Sequence, residues 1–411
     1  MESCSELALL EAVQCKYPFV PGSPGPETLE SCTGIMRTAA ENVLSKDADV
    51  EDLFMYGTTG GDKSCLEELS KYLSTEYGEQ VNSKELMLTA GASHGLHMVL
   101  TLLFGRDNPV FTEDPSYFYG FKMIRTDLQR NLVPVPFDEE GIVPEELERL
   151  VLSHKQTGAT VSEDRPFWAA VYMMPVFHNP CGISYSADRC EKLIEVARKH
   201  NILLIAEDIY NMIYFEDRPH APRRLLSFDK ATAADSARGH VLSIGSFSKI
   251  LAPSLRMGWV EGPTSVMSLL NQSNYANSGG SFNHFVSKLA TSVLQSGVLL
   301  GHVSWLRQVY KKRMAILAQI LTDNLPYGCS FRQPQGGFFL WLQLRKDTDA
   351  SEFLNFATKK FGVNFLPGVH CSPSDAFVHC ARLSVSVAGE SLVAEGGQVL
   401  CQAYRAFLGR D

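Results

Sequence analysis

The sequence predicts an α/β fold: a large domain with a mostly parallel sheet covered by helices on both faces, plus a smaller α+β domain built from both termini. Short, mainly apolar runs recur at Leu86 to Thr89, Pro109 to Thr112, Trp168 to Met174 and Ile202 to Ala206, and Val241, Leu242 and Ile244 form another. A strand with no polar alternation has both faces buried, as in parallel sheets. Amphipathic helical patterns separate these runs, which is the rhythm of βαβ units. Beyond about residue 290 the character changes, with a long helical pattern followed by alternating strands.

In chain order, Glu6 to Cys15 reads as a short helix, and Tyr17 to Pro26 carries so much Pro and Gly that regular structure is not expected there. Leucines 66, 69 and 73 give a helix from Asp62 to Tyr77, with Gly78 as its stop. Ser93 to Phe104 and Ser116 to Thr126 read as helices after the first two strands. Ser186 to Lys199 places Cys190, Leu193, Ile194 and Ala197 on one face of a third. The stretch from Asp217 to Gly239, rich in Arg, Pro and Ala, reads as a surface loop. Val303 to Leu321 reads as a long helix, Phe338 to Leu342 as a strand, a helix follows near Ser351, and Arg382 to Ser386 alternates like a strand. The expected division is an N-terminal segment 1–50, a large domain 51–290 and a small C-terminal domain 291–411.

A chain of 411 residues suits two domains of ordinary size. The net charge of −9 argues against nucleic acid as a general partner, since no basic excess exists to neutralise phosphates. The ten cysteines show no Cys-x-x-Cys pair and no Cys/His cluster with zinc spacing, so no metal is expected. They read as reduced thiols of a cytoplasmic protein. No apolar run approaches membrane-spanning length.

In sheets of this kind ligands gather at the carboxyl ends of the strands, and five strand ends carry pointed chemistry. Thr89 leads to Gly91-Ala92-Ser93-His94, and Thr112 to Asp114-Pro115-Ser116-Tyr117. Met174 leads to Asn179-Pro180-Cys181-Gly182, Ala206 to Glu207-Asp208-Ile209-Tyr210, and Ile244 to Ser246-Phe247-Ser248-Lys249. The last run places a lysine between hydroxyls, with Arg256 beyond it. Such a lysine can hold an aldehyde cofactor as a Schiff base while its neighbours hold the cofactor's phosphate.

Together these residues resemble the class I/II aminotransferases of fold type I, which use pyridoxal 5′-phosphate, and most closely the kynurenine/2-aminoadipate aminotransferase branch. The similarity runs from Tyr56-Gly57 to Arg382-Leu383-Ser384. The resemblance implies that Lys249 carries the cofactor and that Asp208 pairs with its pyridine nitrogen. Asn179 and Tyr210 would bond the ring's phenolic oxygen, and Tyr117 would stack on the ring. Ala92, Ser93, His94, Ser246, Ser248 and Arg256 would surround the phosphate. Tyr56 would reach the phosphate of a neighbouring subunit, which implies a homodimer. Arg382 would clamp the substrate carboxylate, with Asn179, Gly22 and Phe339 beside the substrate. Lys249, Asp208 and Tyr210 would then be the catalytic residues of a ping-pong transfer from an aromatic or 2-aminoadipate-like L-amino acid to a 2-oxo acid such as 2-oxoglutarate.

Four features depart from the family's usual wording. His94 stands for glutamine, Cys181 for threonine and Ile209 for proline or alanine, and the interval from Asp208 to Lys249 is long. Other readings are weaker. Gly91-x-Ser93-x-Gly95 matches a serine-hydrolase elbow and Ser246-x-x-Lys249 the first motif of penicillin-binding enzymes, but neither pattern is completed. A non-catalytic cofactor-binding module of a transcription regulator would need a basic helix-turn-helix, which the N-terminal segment does not offer. A β-lyase or cyclopropane-forming synthase would use the same lysine and aspartate.

Overall fold

The computed structural model describes residues 15–155, 161–232 and 238–409; most of the helical pattern at Glu6 to Cys15 lies outside them. The strands in chain order are β1 (Tyr17–Pro18), β2 (Leu86–Thr89), β3 (Val110–Asp114), β4 (Leu132–Asp138), β5 (Gly141–Ile142), β6 (Ala170–Met173), β7 (Leu203–Glu207), β8 (Val241–Ser246) and β9 (Gly258–Glu261). After these come β10 (Ser330–Phe331), β11 (Phe339–Gln343), β12 (Val363–Asn364), β13 (Leu366–Pro367) and β14 (Cys380–Ser384).

Eight strands form the main sheet in the order β2-β9-β8-β7-β6-β3-β4-β5. Its centre, β8-β7-β6-β3-β4, is parallel; β9 and β5 run antiparallel to it on either side, and β2 pairs antiparallel with β9 at the outer edge. Side chains alternate between the faces of each strand. On one face, Tyr172, Leu203, Ile205, Leu242 and Ile244 pack with Leu96, Val99 and Leu100 of helix Ala92–Leu103. On the other, Val171, Leu204, Ala206 and Val241 pack with Leu193, Ile194 and Ala197 of helix Ala187–His200. Each fully buried leucine on these faces stabilises the layering by about 2 kcal/mol.

The stretch expected as a surface loop after Asp217 instead contains a helix, Leu225–Thr232. Leu225 and Leu226 join the core beside Val241. Arg224 is fully buried and donates to Glu261 at 2.6 Å, while Lys230 donates to the other oxygen of Glu261 at 2.8 Å. The Arg/Pro-rich composition concealed one apolar turn, and the arginine is a core ion-pair partner. The Pro/Gly-rich opening also yields more order than expected. Tyr17 and Pro18 pair in parallel with Val363 and Asn364, and helix Pro26–Val43 starts on Pro26. Proline at a first helical turn forfeits no intrahelical hydrogen bond, so it opens the helix here.

A separate sheet, β10-β11-β14-β13, is antiparallel throughout. Helices Val298–Asn324, Ala350–Phe361 and Glu390–Leu408 lie against it and one another. The N-terminal segment is sewn to this unit. Ser384 N–H donates to the Phe19 carbonyl at 2.9 Å, and Phe19 N–H donates to the Asn364 side chain at 2.9 Å. Among the described residues no single helix is long and apolar enough to cross a membrane; His284–Gln295 and Val298–Asn324 reach that length only jointly, across a bend of 82°. All the described cysteines are free thiols, most of them buried.

Candidate active site

β8 ends at Ser246, and the turn after it positions the lysine. The Ser246 hydroxyl accepts from Ser248 N–H at 3.1 Å and pairs with the Ser248 hydroxyl at 2.9 Å. Lys249 Nζ donates to the carbonyl of Gly22 at 2.8 Å and lies 5.9 Å from the centre of the Tyr210 ring. Burial lowers its pKa to about 8, opposed by the charge of Glu207 and reinforced by the positive fields of Arg382 and Arg256. An amine so placed is partly neutral near physiological pH and can act as nucleophile or base.

On one side of Lys249 is an anion cradle. Gly91 has φ +90° and precedes helix Ala92–Leu103, and a Cβ on it would come within 2.6 Å of Arg256 Nη2. Arg256, itself left-handed at φ 46°, donates among the described residues only to the carbonyls of Pro253 and Ala90, at 3.1 and 3.4 Å. Ala92 and Ser93 form the first turn of the helix, whose positive end favours a dianion. His94 turns away from that role. Its Nδ1 accepts from Ala90 N–H at 3.1 Å, its ring meets Phe282 edge-on at 4.4 Å, and burial lowers its pKa.

On the other side lies a second guanidinium. Arg382 is buried, donates to the Asn179 side-chain oxygen at 2.9 Å and to the Val20 carbonyl at 2.6 Å, and its Nε has no partner among the described residues. It sits 4.3 Å over the ring of Phe339. Phe339 in turn meets Tyr210 edge-on at 5.5 Å, and a Cβ on Gly22 would approach its ring to 2.7 Å. Tyr210 hydrogen-bonds Asn179, and burial raises its pKa. Tyr117 is half-buried, its pKa raised by burial first and the charge of Glu207 second.

The carboxylates of Glu207 and Asp208 are both buried but face different surroundings. Asp208 accepts from the Ser243 hydroxyl at 2.5 Å, and its Oδ1 has no partner among the described residues. Burial raises its pKa to about 6, countered by Arg224. Glu207 accepts from the Tyr172 hydroxyl, and burial raises its pKa to about 7, countered by that bond and by Lys249.

The structure therefore brings Lys249, Tyr210, Asn179, Arg382, Gly22, Phe339 and Tyr117 around one space, with Ser246, Ser248, Ala92, Ser93 and Arg256 at its edge. It does not bring in Tyr56, which is 80% exposed on the surface, nor Asp208, which alternation along β7 puts on the opposite face of the sheet, beside Ser243 and in the field of Arg224. Sequence reading missed Glu207 and Tyr172 as members; the signal present was a carboxylate ending an apolar strand. Neither Arg256 nor Arg382 has a carboxylate partner among the described residues, and both act on Lys249. A phosphate at one end, an aldehyde at the lysine and a carboxylate at the other end would satisfy these donors, so the residues fit pyridoxal phosphate and an amino acid.

Comparison with known proteins gives the same picture. The family model for aminotransferase class I and II matches residues 27–392. An uncharacterized HTH-type transcriptional regulator of Bacillus subtilis, YdfD, is 30% identical over 304 residues, 74% of this chain and 58% of its own length. The chain thus spans little more than half of that relative. Aromatic-amino-acid aminotransferase 1 of Thermococcus litoralis is 24% identical over 93% of this chain and 87% of its own. The solved structure of Pyrococcus horikoshii kynurenine aminotransferase, in complex with PMP, is 26% identical with a TM-score of 0.83, covering 99% of this chain and 96% of that one.

Proposed function

The chain belongs to the class I and II aminotransferase family, whose cofactor is pyridoxal phosphate, and from that premise we propose that it moves an amino group from an L-amino acid to a 2-oxo acid. The donor class is aromatic or 2-aminoadipate-like and the acceptor 2-oxoglutarate-like, in two half-reactions that share one site. The observation that carries this reading is the pair of carboxylate-free arginines flanking a lysine whose pKa is near 8.

Pyridoxal phosphate supplies an aldehyde that bonds amines and a ring that draws electrons from the bonded carbon. Ser246, Ser248, Arg256 and the helix start at Ala92-Ser93 would hold its phosphate. Lys249 holds or releases a proton at Nζ, and its lowered pKa keeps that amine competent as a base. Arg382 binds the substrate carboxylate through its fork, the pose being fixed by Asn179 and the Phe339 ring below. Tyr210 and Asn179, hydrogen-bonded to each other, would bond the phenolic oxygen of the cofactor ring.

A second copy completes the reading. Phe54, Met55, Tyr56 and Tyr275 are exposed at 64%, 58%, 80% and 72%. Phe54 stacks on Phe285 at 5.8 Å. An apolar surface of this kind suits a homodimer in which Tyr56 enters the partner's site.

Purified protein with pyridoxal phosphate should absorb visible light, and borohydride should fix the cofactor on Lys249. A panel of amino acids with 2-oxoglutarate should then give glutamate. Release of ammonia and pyruvate in place of glutamate would make the protein a lyase, and no fixation on Lys249 would end the proposal.

A further inference from the structure

We infer that Asp114 is a positioning residue that fastens the connection between β13 and β14, and with it Arg382, to the segment carrying Tyr117, an inference that rests on the aminotransferase reading above. Asp114 ends β3 of the main sheet, and Tyr117 follows it by three residues. β13 and β14 belong to the smaller sheet, where Arg382 stands opposite Leu366. The chain joining these two strands, 368–379, therefore anchors the strand from which Arg382 projects.

That connection is bound to the main-sheet side at four points. The Ser372 hydroxyl donates to Asp114 Oδ1 at 2.7 Å, and the Ser374 hydroxyl donates to Oδ2. Ser116 N–H donates to the Cys371 carbonyl at 2.8 Å, and Arg125 donates to the Pro373 carbonyl at 2.7 Å. Both carboxylate oxygens of Asp114 thus serve the opposite unit.

The connection is held in a form it would not keep alone. Asp375 and Phe377 both have φ 59°, a left-handed backbone that a bulky residue such as phenylalanine seldom adopts. Ser372 ties this bend, its oxygen accepting from Ala376 N–H at 2.9 Å and from Ser374 N–H at 3.3 Å. With its lone pairs occupied in that way, the hydroxyl turns its hydrogen to Asp114. Beneath these bonds, Phe118 and Phe121 pack with Trp341, Leu366, Cys371 and Cys380. The Arg382 guanidinium lies 5.8 Å from the centre of the Phe118 ring, and its charge acts on Tyr117. The grip on the substrate carboxylate and the ring that stacks on the cofactor are neighbours, and Asp114 sets their spacing.

The test reads this latch in cofactor-free protein and again in holoenzyme loaded with pyridoxal phosphate. Without cofactor, Asp114→Ala should speed amide hydrogen exchange at Ser116 roughly 10-fold or more. In holoenzyme it should diminish the visible circular dichroism of the bound cofactor and raise KM for amino and oxo acid roughly 10- to 100-fold, with a smaller change in kcat. Asp114→Asn should restore all three readouts, because its side-chain oxygen still accepts from Ser372 and its amide donates to a Ser374 hydroxyl that can turn to accept. Ser372→Ala with Ser374→Ala should match Asp114→Ala, and combining all three substitutions should add nothing. Should Asp114→Ala fail to fold, Ser374→Ala serves, since Ser374 is exposed; KM should then rise roughly 2- to 10-fold, the range for one hydrogen bond. A loss of thermal stability in Asp114→Ala with exchange, dichroism and KM unchanged would overturn the inference. So would additive losses, Asp114→Asn as damaging as Asp114→Ala, or no change of KM in Ser374→Ala. Protein that takes up no cofactor at Lys249 would instead sink the aminotransferase reading, a result visible before any variant is made.

Discussion

Arg382 donates to the side-chain oxygen of Asn179 across 2.9 Å, although 203 residues separate them in the chain. One residue comes from β14 of the smaller sheet, the other from the loop after β6 of the larger, so this bond fixes the guanidinium at the junction of the two units. Arg382→Lys keeps the charge and loses the fork, the bond to Val20 and the flat contact over Phe339. Steady-state kinetics should show KM for both amino and oxo acid raised by roughly 10- to 100-fold, with the absorption of bound cofactor unchanged.

Lys249 should capture aldehyde with an unusual pH profile. Only the neutral amine attacks, and the folded protein lowers its pKa from 10.5 to about 8. The rate at which cofactor-free protein takes up pyridoxal phosphate, followed by stopped-flow absorbance, should rise with pH and level off above about 8. A rise continuing to pH 10 would contradict the burial described for this side chain.

Glu207 and Asp208 give the stability of the cofactor-free protein a sign. Their folded pKa values, about 7 and about 6, stand above the ordinary values of 4.5 and 3.8 for these side chains. The folded state therefore binds more protons than the unfolded state between roughly pH 4 and 7, and stability from these groups falls as pH rises through that window. Glu207→Gln with Asp208→Asn should flatten that fall in Tm between pH 5 and pH 7.5, measured by thermal unfolding without cofactor.

Gly91→Ala should damage the anion cradle directly. The substitution forces a side chain onto φ +90° and 2.6 Å from Arg256 Nη2. The backbone cost is about 1 to 3 kcal/mol, and the displaced arginine should weaken cofactor affinity, read by fluorescence titration, and relax part of the positive field that lowers the Lys249 pKa.

Glu261→Gln tests the buried helix that composition concealed. The carboxylate faces Arg224 at 2.6 Å and Lys230 at 2.8 Å with almost no exposure. Removing one member of such a buried set leaves charge uncompensated and should cost about 3 to 5 kcal/mol in urea unfolding.

The sequence disclosed the central sheet well, because β6 and β7 are apolar at nearly every position, β8 opens with Val241, Leu242 and Ile244, and the segments after them carry Asn179, Tyr210 and Lys249. It disclosed the edges poorly. β4 carries Pro134 and Pro136, which argue locally against a strand, yet the pairing with β3 overrides them. Helix Leu225–Thr232 hides among Arg and Pro, and Pro26 reads as a breaker until it stands at a helix start. Glu207 was passed over for a simpler reason. The apolar run stops at Ala206, so the last residue of the strand looked like the first of a loop, and the face it occupies is decided by one further hydrogen-bonded position.

The backbone between Val20 and Gly22 offers one carbonyl to Arg382 and another to Lys249. These three residues mimic the oxygens of a ligand, so they compete with an incoming molecule for the same donors. Occupancy by that molecule leaves at least one of these peptide oxygens seeking water, and measured affinity will be smaller than the new contacts alone suggest.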